Sequence, residues 1–167
     1  MLKILGVFIP LIAAATPALS GEWEIVARSD NLALGVDRLS IRSSGSNRTY
    51  WRVIVYRVMQ DGIDYRLTRN RVNCDNWTIS GISTVSYSIN NSTPIDSSEL
   101  SGRSAVIVPD SLGEAEADYV CQDQFESTTS WAVSAEEFAI DRRTSPGEFD
   151  AAWREQRPPD LSIVFGS

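Results

Sequence analysis

The chain has 167 residues, with 22 Asp and Glu against 15 Lys and Arg, a formal net charge of −7 and no His. Without His there is no Ser-His-Asp or Cys-His nucleophilic system, no His acid–base chemistry and no His-ligated zinc or haem. The acidic total argues against non-specific binding of nucleic acid or of an anionic membrane.

Residues 1–20 have the three parts of a signal peptide. Lys3 is the short positive start, Leu5 to Ala15 an apolar run interrupted by Gly6 and Pro10, and Ala18-Leu19-Ser20 the small-residue end, so cleavage is expected before Gly21. A membrane anchor is the alternative, but the run is short for crossing about 30 Å of hydrocarbon. No Cys lies near the cut, so no lipid attachment is expected, and no other segment is long and apolar enough to span a bilayer. Cleavage leaves 147 of the 167 residues, enough for one hydrophobic core. Lys3 leaves with the leader, so the net charge becomes −8 and every remaining base is Arg. Schiff-base chemistry and Ser-Lys dyads are thereby excluded. No glycine loop of the Walker or dinucleotide type is present.

Trp23 to Arg28 alternates and predicts the first strand; Asp30-Asn31 make a turn, and Leu32 to Val36 is short and extended. Asp37 to Arg42 carries Leu39 and Ile41 on one side, and Ser43 to Asn47 reads as a flexible turn. Tyr50 to Met59 is aromatic and β-branched throughout, apolar on both faces, and so a central strand. Asp61-Gly62 is a hairpin signal leading into Ile63 to Cys74. Trp77 to Ser88 is a third long strand, with Trp77, Ile79, Val85 and Tyr87 in phase and Gly81 suggesting a bulge. These three form an antiparallel meander, and the polar stretch from Asn90 to Gly102 reads as loop.

Helices come late. Ser111-Leu-Gly-Glu114 is a capping box opening a helix to about Gln122, with Leu112, Ala115 and Tyr119 on one stripe. Ser134-Ala-Glu-Glu137 is a second box, with Phe138 and Ile140 beyond it, and Ser145-Pro-Gly-Glu148 a third. Leu161 to Phe165 reads as a short strand or a tail. In an exported chain the two cysteines, Cys74 and Cys121, read as one bridge, against two free thiols; they are too far apart for a CxxC redox pair.

Charge is unevenly spread. Residues 28–71 hold nine Arg against four acids, a balance of +5, while residues 72–167 hold five Arg against sixteen acids, a balance of −11. Arg52, Arg57, Arg66, Arg69 and Arg71 fall on the adjoining long strands, where alternation divides them between the two sheet faces. Pairing with acids of the second half is the simple expectation for them; a basic face offered to an anionic ligand is the sharper one. Together with Trp51 and Trp77 they are the candidate binding residues, and Trp packing in the core is the alternative role for both aromatics. Asp61 with Asp64, and Glu136 with Glu137, are the carboxylate pairs a glycosidase would need, though turn formation and helix-dipole compensation account for them. No metal site and no cofactor are expected.

From Trp23 to Cys121 the chain resembles the surface-adhesin protein E-like domain of bacteria. The resemblance rests on an ordered set: Trp23-Glu-Ile-Val, Val36-Asp-Arg-Leu-Ser-Ile41, Tyr50-Trp-Arg-Val-Ile-Val-Tyr56, Val72-Asn-Cys74, Trp77 to Tyr87, and Ala117-Asp-Tyr-Val-Cys121. It implies an antiparallel sheet with a helix laid against it and a Cys74–Cys121 bridge. It also implies adhesion: the founding member is a surface lipoprotein that binds host matrix and plasma proteins and has been linked to haem. This chain departs from that pattern in lacking a lipidated Cys and His, and in carrying an acidic tail after Cys121.

The reading is an α+β fold: an antiparallel β-sheet of about five or six strands, a disulfide-tethered helix and a C-terminal helical tail. The parts are a signal peptide (1–20), the α+β domain (21–125) and an acidic extension (126–167). The expected function is a non-enzymatic periplasmic or secreted bacterial protein that binds a protein or other envelope component, with no nucleic acid partner. A carboxylate-dependent hydrolase of envelope glycans is the alternative, and an envelope accessory with no ligand a third.

Overall fold

The computed structural model describes residues 21–89, 91–122 and 131–144. The leader, the third capping box and the stretch from Leu161 to Phe165 lie outside them. One antiparallel sheet is built from β1 (Gly21–Arg28), β2 (Leu32–Asp37), β3 (Arg42–Ser44), β4 (Asn47–Gln60), β5 (Ile63–Asn73), β6 (Thr78–Ser88), β7 (Asn91–Glu99), β8 (Ala105–Val106) and β9 (Trp131–Val133), with helices α1 (Leu112–Cys121) and α2 (Ala135–Thr144). The strand order is β7-β6-β5-β4-β2-β1-β9, with β3 added to β4 and β8 to β6. Six strands are long, and β3, β8 and β9 are additions of two or three residues.

β4 is central because both of its faces are apolar. Tyr50 and Ile54 join one cluster with Leu34, Val36, Val72 and Ile107, while Val53 and Val55 join the other with Trp23, Tyr65 and Phe138. The two sets differ in parity along the strand, so they lie on opposite faces. α1 covers the first face through Ala117 and Val120, and α2 covers part of the second through Phe138 and Ala139. The bridge joins Cys74 at the end of β5 to Cys121 in the last turn of α1, with Cα atoms 5.8 Å apart.

Asp61 and Gly62 turn β4 into β5 with φ of 51° and 83°, leaving Gln60 opposite Ile63. A two-residue hairpin with both φ positive is what Asp-Gly favours. The Gly81 bulge is also present: Arg69 faces Ser83 while Asn70 faces Gly81, so Ile82 is the extra residue. Its consequence corrects the expected phase of β6. Ile79 packs on the α1 face and Tyr87 on the other, because one inserted residue inverts the alternation.

Four other expectations change. Leu39 and Ile41 do not share a side: Arg38–Ser40 is a 3-10 turn, with Asp37 accepting from the Leu39 amide, so Leu39 is exposed and Ile41 alone joins the core. Ser43 to Asn47 is not a loose turn but the β3–β4 hairpin, closed at Gly45 with φ of 58°. Residues 91–99 form edge strand β7 on β6; from Thr93 on it is exposed, Ile95 included, and shows no alternation to read. On α1 the fully buried positions are Glu116, Ala117 and Val120, with Leu112, Ala115 and Tyr119 at the flanks. At α1 Ser111 Oγ accepts from the Glu114 amide, but the Glu114 carboxylate takes the Asp110 amide instead of closing the box. The box at α2 is complete, with Ser134 Oγ accepting from the Glu137 amide and Glu137 from the Ser134 amide. These bonds hold the Glu137 carboxyl below the usual carboxylate range.

Candidate binding face

Alternation along β4 and β5 sorts the candidate residues. Arg69 stands directly opposite Trp51, and Arg71 directly opposite Thr49. Arg42 of β3 faces Thr49 from the other side. All five belong to the face that α2 covers farther along, since Trp51, Val53 and Val55 share one parity. Trp51 sits at the border, half-buried against the α2-side cluster. Beyond it, Arg42, Arg69 and Arg71 are exposed. A row Arg42–Thr49–Arg71–Ser80 thus crosses four strands, with Trp51–Arg69–Ser83 as the adjacent row.

No acid among the described residues pairs with Arg42, Arg69 or Arg71. Arg42 is instead steadied by its own backbone: Nη1 donates to the carbonyls of Leu39 and Ile41 at 2.7 and 2.9 Å. Arg42 and Arg71 flank Thr49 two strand spacings apart, roughly 10 Å between backbones. Between them opens a cavity of about 230 Å³ lined by Arg42, Ser43, Ser44, Asn47, Thr49 and Arg71.

The other candidates are elsewhere. Arg52 lies on the α1 face and donates to Glu116 Oε2 at 2.7 Å. Arg66 shares that face and donates Nε–H to Ser86 at 3.1 Å. Trp77 packs into the α1-side core with φ of 54°. Arg57 borders a small crevice with Arg28 and Arg142, and Arg142 is pulled down to about 10 chiefly by burial. Sequence reasoning missed Arg42 because β3 was hidden inside an apparent loop. It also missed Glu116, whose charge disqualified it from an apolar stripe.

Glu116 is fully buried and takes three donors, each at 2.7 Å: Tyr50 Oη–H, Asn70 Nδ2 and Arg52 Nη1. Burial first, then the adjoining carboxylate, raises the Tyr50 phenol far above its ordinary value. Tyr119 is raised too, by burial and by its bond to Glu24 at 2.7 Å. Asp64 is equally buried; it accepts from Ser88 Oγ and the Ile89 amide at 3.0 and 2.8 Å and pairs with Arg143 of α2. Asp61 stands in the hairpin turn and Glu137 in a helix cap. Among the described residues no cluster of three or more His, Cys, Asp or Glu is placed to hold a metal ion, and no helix is long and apolar enough to cross a membrane.

Comparison with known families decides the kinship. The family model for surface-adhesin protein E matches residues 23–122. The chain belongs to the surface-adhesin protein E family. The matched region holds β2 to β8, nearly all of β1, α1 and both cysteines, so the Arg and Trp51 rows lie inside it; β9 and α2 lie beyond it. No curated protein and no solved structure matches the chain.

Proposed function

We propose that this member of the surface-adhesin protein E family is an exported, non-enzymatic binding protein that holds a macromolecular partner on the sheet face carrying Trp51, Arg69 and Arg71. Its signal-like leader and its disulfide support export to the periplasm or cell surface. The observation that carries the reading is the set of exposed guanidinium groups left without acids beside a half-buried Trp. One acid of each pair considered for catalysis has other work: Asp64 is clamped to Arg143 and Glu137 caps α2.

The test is a surface-plasmon-resonance screen of the purified mature chain against extracellular-matrix proteins and envelope extracts. Saturable binding that disappears in Arg69→Ala/Arg71→Ala is expected. Binding unchanged in that variant, or no saturable partner in either set, overturns the reading; the second result leaves the ligand-free accessory role.

A further inference from the structure

We infer that the cavity between Arg42 and Arg71 takes an acidic sugar of a glycan chain, one bearing carboxylate or sulfate groups; this rests on the reading of that face as a binding surface. The lining is two guanidinium groups, three hydroxyls and one carboxamide, with no carboxylate. Guanidinium forks match planar carboxylate and sulfate oxygens, two bonds at a time. Hydroxyls donate or accept as needed, which suits a ligand rich in hydroxyls of its own. The next row along the strands, Trp51 and Arg69, lies roughly 7 Å away. It sets an apolar surface beside a cation for the following unit of a chain.

Peptide and nucleic acid fit less well. A peptide adding as a strand would use the outer edge of β3, which pairs with β4 on its other side, rather than the space between Arg42 and Arg71. The cavity also lacks an apolar side chain to anchor a peptide residue. A nucleic-acid strand calls for successive aromatic platforms, and the cavity lining holds no aromatic side chain.

Isothermal titration of the mature chain with heparin and chondroitin sulfate oligosaccharides tests the inference. Poly-glutamate and single-stranded DNA of equal charge, and neutral dextran, are the comparisons. Saturable binding of at least one acidic oligosaccharide is expected. Arg71→Ala should weaken it about tenfold or more, the worth of one charge-assisted hydrogen bond. Arg42→Ala should act in the same direction, and circular-dichroism melts separate loss of its two carbonyl bonds from loss of ligand. Arg103→Ala, an exposed Arg outside the cavity, should change nothing. Equal affinity for poly-glutamate or DNA, indifference to Arg71→Ala, or no binding of either oligosaccharide overturns the inference. If Arg69→Ala/Arg71→Ala still abolishes a protein partner in that last case, the face binds and only the sugar is wrong.

Discussion

Glu116 has no exposed surface, and three donors converge on it from β4 and β5. A carboxylate taken out of water is tolerable only when donors compensate the lost hydration, and here three do. Removing it strands the Arg52 charge, the Tyr50 hydroxyl and the Asn70 amide against α1. Glu116→Ala is therefore expected to cost about 3–5 kcal/mol, read as a fall in the urea midpoint at an unchanged slope. Tyr50 carries a second prediction. The fold raises its pKa and those of Tyr65 and Tyr119, in each case through burial first. An unfolded Tyr releases its proton near pH 10, while these folded ones hold theirs, so the unfolded state has fewer protons above that pH. Stability contributed by the neutral phenols is fully present below pH about 10 and falls as pH rises beyond it. Urea midpoints from pH 8 to 11 should show that decline, and Tyr50→Phe should make it shallower; a flat profile would contradict the burial of these rings.

Gly35 decides how closely α2 approaches the sheet. A Cβ there would lie 2.8 Å from Phe138 Cζ and 3.0 Å from Val53 Cγ1, and both neighbours are buried. Gly35→Ala gains up to about 1 kcal/mol from a stiffer unfolded chain. The overpacking costs about 1–3 kcal/mol, so a net loss is expected. The damage should be local: amides of α2 should exchange faster with solvent, while those of α1, held by the bridge, keep their protection. Unchanged α2 exchange would mean that the helix is not seated on Gly35. None of this contact was legible in the sequence, because Gly35 and Phe138 are remote and a glycine shows no preference for a helix. What was legible had local causes. Asp61-Gly62 announces its turn through two positive φ values, the apolar doubling of β4 announces a central strand, and each Ser-x-x-Glu announces a cap. β7 stayed hidden because an edge strand facing water has no buried side to mark its period, and β3 because its three residues are all exposed.

Across the whole molecule, the basic stretch 28–71 forms the middle of the sheet and the acidic remainder supplies both helices. Some neutralisation runs across that division, with Glu116 of α1 on Arg52 and Arg143 of α2 on Asp64. It does not reach Arg42, Arg69 and Arg71, which leaves a cationic patch on a chain of net charge −7. The sequence showed the imbalance but not which Arg lay bare, since that depends on strand parity, on the β3 hairpin and on where α2 stops. The two kinds of charge should part under salt. Screening shortens from about 10 Å at 0.1 M to about 3 Å at 1 M, and it acts on exposed charges far more than on buried pairs. Raising NaCl from about 0.1 to 1 M should therefore release an anionic ligand from the exposed Arg rows. The same change should leave the thermal midpoint of the free chain nearly constant, because Glu116 and Asp64 are sealed from the ions. Titrations and melts on one protein stock check both halves. Salt-insensitive ligand binding would place the contact away from this face, whereas a steep loss of thermal stability would show that the two internal clamps are open to solvent.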